Sequence, residues 1–261
     1  MKRFDSLVHV TRDGSWLNGR HDATYTRLVS ELDHGDVDRA CLVGLAGVVD
    51  NRYVLECART SGGRLIPIAG VNPMEYPSPV AMGDDFAQHA SDGFAGVKLH
   101  PRLHGYDPLA DACLRAIRAA AEQRLVVFVD TLFRQRGCAT LNAADTIDRM
   151  VQASNGAVII LLHGGGPALL EVAEVVRAHT TLFLDLSFTL LRYAGTSLDA
   201  DLRWVMRQLD QRIVIGSDMP EYTPVKAFAR ALDLAGDVSP EKWRNMAHAN
   251  LERVFSGKPW A

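Results

Sequence analysis

Short apolar runs alternate with amphipathic segments along the whole chain. Runs such as VVFVD and VIILLH are apolar at successive positions, which is typical of parallel strands buried on both faces. The amphipathic segments repeat apolar residues with a helical period, as Leu114, Ile117 and Ala121 do within Pro108–Gln123. The predicted strands are Phe4–Val10, Arg39–Gly44, Leu65–Val71, Ala95–His100, Leu125–Asp130, Val158–Leu162, Leu182–Leu186 and Ile213–Ser217.

Each predicted strand is followed by a predicted helix. The helices are Tyr25–His34, Arg52–Thr60, Pro79–Ala90, Pro108–Gln123, Ala143–Ser154, Ala168–His179, Leu198–Leu209 and Thr223–Leu234. Eight such units favour a single α/β domain, a (β/α)8 TIM-type barrel, over an open doubly wound sheet. An extra C-terminal helix, Glu241–Phe255, should pack outside the barrel or close its bottom. We find no linker or internal repeat and therefore predict one domain over residues 1–261.

The composition excludes several classes of function. The 261 residues are 48% hydrophobic and 23% charged, and 28 Lys+Arg against 31 Asp+Glu give a net charge of −3. This balance argues against a nucleic acid or an anionic membrane as partner. No apolar run approaches the ~20 residues of a membrane span, and the four cysteines form no CxxC motif. We expect a soluble cytoplasmic protein, with a homodimer as the default oligomer.

Polar residues stand where the predicted strands end, which is where barrels of this type carry their chemistry. Side chains alternate along a strand, so Asp5, Leu7 and His9 should share one face, as should Lys98 and His100. Unpartnered buried charges are costly, so convergence implies mutual pairing, a metal ion or a charged substrate. These strand-end residues are His9, Lys98, His100, Asp130, His163, Asp185, Ser187 and Asp218.

A structural role is the competing interpretation for each of these residues. A lone histidine at a strand end is more often a hydrogen-bonded structural residue than a ligand. His163 and Asp218 favour function because both follow strongly apolar strands and adjoin glycine-containing turns. Asp185 favours structure, since it can accept hydrogen bonds from backbone N–H groups after its strand.

The ordered motifs along the chain resemble the amidohydrolase superfamily. The branch that they resemble is the amidohydrolase-related one, which includes hydrolases, lactonases and non-oxidative decarboxylases. The resemblance spans essentially the whole chain. It is carried by FDSLVHV at the start, GVKLHP (Gly96–Pro101), LLHGGG (Leu161–Gly166), FLDLS (Phe183–Ser187), GSDMP (Gly216–Pro220) and NLERVF (Asn250–Phe255).

The resemblance implies a divalent metal, usually zinc, at the strand ends. Its ligands in the family are an HxH pair, a histidine on strand 5 and an aspartate on strand 8 that also acts as general base. His9 matches the second histidine of the pair, His163 the strand 6 histidine and Asp218 the aspartate. Leu7 replaces the first histidine and Asp130 replaces the one on strand 5. His9, Asp130, His163 and Asp218 could still ligate zinc or manganese, and a metal-free site stays an open alternative.

The same resemblance suggests roles for the residues at the mouth. Asp218, His163 and His100 are the candidate catalytic residues. Basic residues after strands 4 and 5 suit a small acidic substrate, because arginine binds carboxylates with two parallel hydrogen bonds. The candidate substrate-binding residues are Lys98, Arg102, Arg134 and Ser187.

Three hypotheses about function follow from these residues. The leading one is a hydrolase acting on an amide, ester or lactone bond, with Asp218 activating water. The second is non-oxidative decarboxylation of a small unsaturated or aromatic acid on the same site. The third, motivated by Leu7, is a degenerate barrel that lacks the metal or binds a ligand without turning it over.

Overall fold

The parallel sheet follows the order of the sequence around the molecule. The computed structural model of the chain describes residues 1–17, 19–133 and 142–256. Eight strands pair in parallel in the order β1 to β8, each beside the next. This is the predicted (β/α)8 barrel. The strands are β1 Phe4–Val8, β2 Arg39–Val43, β3 Leu65–Val71, β4 Gly96–Leu99, β5 Val126–Asp130, β6 Ile159–Leu162, β7 Leu182–Asp185 and β8 Ile213–Val214.

Helices connect successive strands and cover the outside of the barrel. Several helices begin at a residue whose side chain caps the first turn. The Thr24 side chain accepts a hydrogen bond from the N–H of Arg27, and the Asn142 side chain accepts one from the N–H of Asp145. The helices are α1 Tyr25–His34, α2 Asn51–Thr60, α3 Pro79–Asp92, α4 Pro101–His104, α5 Asp111–Glu122, α6 Ala143–Gln152, α7 Leu169–Ala178, α8 Thr189–Arg192, α9 Leu198–Gln208, α10 Pro224–Ala235, α11 Pro240–Arg244 and α12 Asn250–Phe255. The short helices α4 and α8 lie directly after strands and were not predicted.

Strand β8 is much shorter than its predicted span Ile213–Ser217, because its end turns to meet β1. The Ser6 N–H donates to the carbonyl of Ile215, and the Asp218 N–H donates to the carbonyl of Leu7. The His9 N–H donates to the carbonyl of Met219. These bonds join the two edge strands of the sheet and place His9 beside Asp218.

The core has two parts, on either side of the sheet. The larger lies between strands and helices and includes Val97, Leu99, Val127 and Val129. The smaller fills the barrel and contains Phe4, Leu7, Cys41, Val43, Ile68, Val126, Phe128, Ile160, Leu162, Phe183 and Val214. Alternation along β4 and β5 therefore turns Lys98 and Asp130 toward the interior.

Strand β1 departs from simple alternation. Its pairing with β2 is irregular between Asp5 and Val8. Phe4 and Leu7 consequently pack in the same interior cluster although their positions differ by an odd number. Leu7 is fully buried there.

The C-terminal segment closes the bottom of the barrel, one of the two placements expected for it. Leu251 and Val254 join the interior cluster, and the ring of Phe255 stacks on that of Phe4 with 6.0 Å between centroids. Asn250 donates to the carbonyls of Asp210 and Ile213, tying α12 to the start of β8. None of the helices in the described ranges is long and apolar enough to cross a membrane.

Candidate active site

His9 lies at the end of β1, and its ring contacts Val43 and Trp16. Its Nδ1 is 2.6 Å from the carbonyl oxygen of Val43, which assigns the ring proton to Nδ1 and the lone pair to Nε2. The ring stacks on Trp16 with 5.1 Å between centroids. Burial lowers the pKa of His9 well below its usual value, and the neighbouring Lys98 lowers it further. His9 is therefore a neutral hydrogen-bond acceptor at Nε2.

Lys98 extends from β4 to that acceptor. Its Nζ lies 3.4 Å from Nε2 of His9, and the residue is only 3% exposed. Burial lowers the pKa of Lys98, whereas the carboxylates of Asp218 and Asp130 oppose this effect. Lys98 thus places an amino group inside the mouth of the barrel, where the charges of Asp218 and Asp130 favour its protonated form.

Asp130 is fully buried at the end of β5, and one of its carboxylate oxygens lies near three side-chain nitrogen atoms. Its Oδ2 lies 3.1 Å from Nη2 of Arg102, 3.4 Å from Nε2 of His163 and 3.5 Å from Nε2 of His100. Burial alone would raise the pKa of Asp130, but His100, His163 and Arg102 hold it well below the usual range. Asp130 is therefore a permanent carboxylate.

His163 occupies a left-handed turn, with φ of 64°. Its N–H donates to Asp185 at 3.0 Å, and its ring Nδ1 lies 3.1 Å from the hydroxyl of Ser187. Burial would lower the pKa of His163, but the hydrogen bond to Asp130 and the nearby carboxylates raise it overall. Both ring nitrogens face acceptors, which suits an imidazolium ion.

Asp185 organises the strand ends beneath these groups. It accepts from the hydroxyls of Ser6 and Ser187 and from the backbone N–H groups of His163 and Ser187. These contacts join β1, β6 and β7, so Asp185 has the structural position that the sequence favoured. The Ser187 hydroxyl, a predicted substrate-binding group, is engaged by Asp185 and His163.

Asp218 is a largely buried carboxylate at the mouth. Its side chain is 12% exposed, and its Oδ1 lies 3.7 Å from Nε2 of His9. No side chain or backbone group in the described parts of the chain donates a hydrogen bond to this carboxylate. Burial raises the pKa of Asp218 to about 6, against the opposing charges of His163 and Lys98. Such a group can accept and return a proton near neutral pH.

His100 has a more structural position than the other predicted catalytic residues. Its Nδ1 accepts from the N–H of Leu103 and so caps α4, leaving Nε2–H directed at Asp130. Burial lowers the pKa of His100 to about 3. A neutral imidazole in this position orients Asp130 and the start of α4.

A cavity of about 310 Å³ adjoins this cluster and contains an arginine that sequence reasoning missed. Arg192, at the end of α8, lines it together with Arg102. Arg192 was not predicted because α8 was not predicted. This helix follows a turn at Phe188, where φ is 60°. The other lining residues are Leu132, Gly165, Pro167, Phe188 and Tyr193.

The structure brings most of the predicted site residues together at one mouth. Eight of them each contact at least one other of the eight: His9, Lys98, His100, Arg102, Asp130, His163, Ser187 and Asp218. Arg134 lies outside the described residues. The functional roles assigned to all of these residues stay predictions.

The contacts at the mouth do not fit a resident divalent cation. The predicted ligands fall into two pairs, His9 with Asp218 and His163 with Asp130. Lys98 directs an ammonium group at the His9 lone pair, and Leu7 supplies no ligand atom. Within residues 1–17, 19–133 and 142–256, no three His, Cys, Asp or Glu side chains are arranged to hold a metal ion.

Comparison with known families and structures agrees with the fold. The family model described as Amidohydrolase matches residues 22–256. An uncharacterized TIM-barrel protein from Bordetella bronchiseptica superposes with a TM-score of 0.78 at 16% identity, covering 98% of this chain and 99% of that one. The comparison with curated proteins returned no match.

Two further solved structures are of proteins described by an activity. A probable 2-pyrone-4,6-dicarboxylic acid hydrolase from Acinetobacter baumannii, with citric acid bound, has a TM-score of 0.71 at 16% identity and covers 98% of this chain and 100% of that one. A 5-carboxyvanillate decarboxylase from Novosphingobium aromaticivorans, complexed with manganese and 4-hydroxy-3-methoxy-5-nitrobenzoic acid, has a TM-score of 0.71 at 12% identity. The latter covers 97% of this chain and 96% of that one. At these identities the likeness concerns the fold.

Proposed function

Because the chain belongs to the amidohydrolase family, we propose that it is a hydrolase acting on an ester, lactone or amide bond of a small, carboxylate-bearing molecule. The observation that carries this proposal is the Asp218 carboxylate. Its side chain is 12% exposed at the mouth, and its pKa is raised to about 6 although the charges of His163 and Lys98 oppose the rise. A base and two cations around one space suit the addition of water to a carbonyl group.

The proposed reaction uses only side chains at this mouth. Asp218 accepts a proton from water as the water oxygen bonds to the carbonyl carbon. The carbonyl electrons move to its oxygen, where the cations of Lys98 and His163 stabilise the negative charge. When the oxyanion collapses, the C–O or C–N bond breaks and Asp218 returns the proton to the leaving atom.

The substrate's carboxylate is assigned to the cavity beside the mouth. Arg102 and Arg192 line this space, and both guanidinium groups can form paired hydrogen bonds with a carboxylate. Phe188 and Leu132 supply apolar walls for the carbon skeleton. In this arrangement Arg102 would be shared between Asp130 and the substrate.

Product analysis with an Asp218 variant tests the proposal. A panel of small carboxylated lactones, esters and amides should yield the ring-opened or cleaved acid with the wild-type protein. Asp218→Asn should lower kcat by about 10²–10⁴-fold, because it removes the general base. Asp92→Asn, on the exposed C-terminal end of α3, is the matched control and should retain full activity. Equal turnover by Asp218→Asn and the wild type would disprove the proposed role of this carboxylate.

Decarboxylation is the second candidate, favoured by the same raised pKa. A carboxyl group with a pKa of about 6 can also donate a proton, in this case to the carbon that loses CO2. The two reactions differ in their products, since only decarboxylation of an unsaturated or aromatic acid releases CO2. Release of carbon dioxide from an unsaturated or aromatic acid, with no hydrolysis of any lactone, ester or amide of the panel, would replace the first proposal by the second.

A further inference from the structure

We propose that the Lys98 ammonium group takes the place of the divalent metal ion in this barrel. The cation at the mouth is then a side chain of the protein and not a bound ion. This inference deepens the proposed function by naming the group that polarises the substrate, and its catalytic part rests on that proposal. Its metal-binding part concerns the pocket alone and can be tested without a substrate.

The first argument is the lone pair of His9. Nδ1 is committed to the carbonyl of Val43, so Nε2 is the ring's one remaining acceptor. Zinc would bind this nitrogen at about 2.0–2.1 Å. Lys98 Nζ already lies 3.4 Å from it, at a donor's position. One lone pair cannot bind a metal and accept from an ammonium group at once.

The second argument is the charge inside the mouth. The two carboxylates that face it, Asp130 and Asp218, already stand opposite the fixed cations Lys98 and Arg102. A divalent ion among them would add two positive charges a few ångströms from a buried ammonium group. Because Lys98 and Asp130 are buried, that repulsion is weakly screened.

The third argument is the position of Leu7. Its side chain is fully buried in the apolar cluster of the barrel interior, with Val43 and Phe128. The wall of the pocket where the resemblance would place a ligand is therefore hydrocarbon. Leucine at this position and lysine at the His9 lone pair are two separate obstacles to metal binding, and each can be removed by one substitution.

The experiment measures metal binding in four purified full-length proteins: wild type, Leu7→His, Lys98→Met and the double variant. Isothermal titration with zinc chloride and with manganese chloride gives affinity and stoichiometry, and elemental analysis gives the metal content after purification. We expect no stoichiometric binding by the wild type or by Leu7→His. The double variant should bind one zinc ion at least ~100-fold more tightly than Leu7→His, because it gains a ligand and loses the competing cation.

Two controls keep the result interpretable. Lys226→Met removes an exposed lysine from α10 and should leave zinc binding unchanged. Lys98→Arg keeps the positive charge and should bind no more zinc than the wild type. Circular dichroism of every variant identifies any that fails to fold. If Lys98→Met fails, Lys98→Gln, which also removes the charge, replaces it alone and in combination with Leu7→His, with the same expected results.

Stoichiometric zinc in the wild type would overturn the inference, and so would equal zinc affinity in Leu7→His and the double variant. Neither result depends on whether a substrate has been found. Conversely, if hydrolysis is never detected while the metal titrations come out as expected, the proposed function fails and the inference about the cation stands.

Discussion

The Asp218 carboxyl illustrates how burial sets a working pH. Burial raises its pKa to about 6, and His163 and Lys98 restrain the rise. Only the deprotonated form can accept a proton from water, so kcat/KM should fall about tenfold per pH unit below about pH 6. A pH–rate profile of the wild type measures this limb. The residual activity of Asp218→Asn should lack it, and a wild-type limb near pH 4 would contradict the assignment.

A second buried carboxyl, Asp5, affects stability rather than chemistry. Its Oδ1 accepts from the N–H groups of Leu7 at 3.0 Å and Ser217 at 2.9 Å, and burial raises its pKa to about 7. Between about pH 4 and 7 the folded chain keeps a proton that the unfolded chain has lost. The contribution of Asp5 to the free energy of unfolding therefore falls as pH rises through this window and is constant above it.

Asp5→Asn should abolish that slope. Relative to the variant, the wild type should lose up to about 4 kcal/mol of unfolding free energy between pH 4 and 8, as expected for a pKa shift of about three units. Urea unfolding at several pH values measures the difference. Asp92→Asn, an exposed carboxyl, should retain the wild-type slope. Parallel pH profiles for wild type and Asp5→Asn would show that the Asp5 carboxyl is ionised throughout.

Many of these residues could be predicted from the sequence, but few of their contacts could. His9, Asp130 and Asp218 stand at strand ends, and parallel strands bring those ends together whatever the details. The Lys98–His9 contact depends on the relative stagger of β1 and β4, which neither strand's own pattern contains. The capping of α4 by His100 was missed because α4 itself was not predicted.

At the scale of elements, the turn after β6 shows why a run of glycines follows His163. Gly165 has φ of +74°, and an added Cβ would lie 2.6 Å from Cγ2 of Val172 on α7. Its N–H donates to the hydroxyl of Thr131, which holds the ends of β5 and β6 together. The turn therefore needs a residue with a left-handed backbone and no side chain.

Gly165→Ala should lower the free energy of unfolding and disturb His163. Gly156→Ala is the control, because φ is +80° there but no described atom lies within 4 Å of the added carbon. The control should cost about 1–2 kcal/mol for the backbone alone. Gly165→Ala should cost about 1–3 kcal/mol more, since it also overpacks the turn. Chemical denaturation compares the two, and equal losses would show that Val172 moves aside without cost.

Element boundaries were predicted well where periodicity decided them and poorly where tertiary contacts did. Helix Tyr25–His34 and strand Leu65–Val71 have their predicted limits. Strand β8 ends early because its backbone groups turn to β1, and α8 follows a positive φ at Phe188. Neither feature is visible in the hydrophobic pattern of the sequence, because both depend on contacts with residues that are distant in sequence.

At the scale of the whole molecule, the two ends of the barrel have different tasks. Charged and hydrogen-bonding side chains meet at the carboxyl ends of the strands, and an arginine-lined cavity adjoins them. The opposite end is closed by α12, whose apolar residues complete the interior cluster. The net charge of −3 averages over this division and shows nothing of the cations gathered at one mouth.

This division predicts that a substitution at the bottom of the barrel can lower the free energy of unfolding without changing catalysis at the mouth. Leu251 is 1% exposed in the interior cluster, so Leu251→Ala should lower the free energy of unfolding by about 2–5 kcal/mol. Leu232→Ala, half exposed on α10, should change it by less than about 0.5 kcal/mol. Below its melting temperature, Leu251→Ala should keep the wild-type kcat and KM for any substrate that the product analysis identifies. A loss of kcat in the fully folded variant would mean that packing at the bottom reaches the strand ends at the mouth, and the two ends would then not be independent.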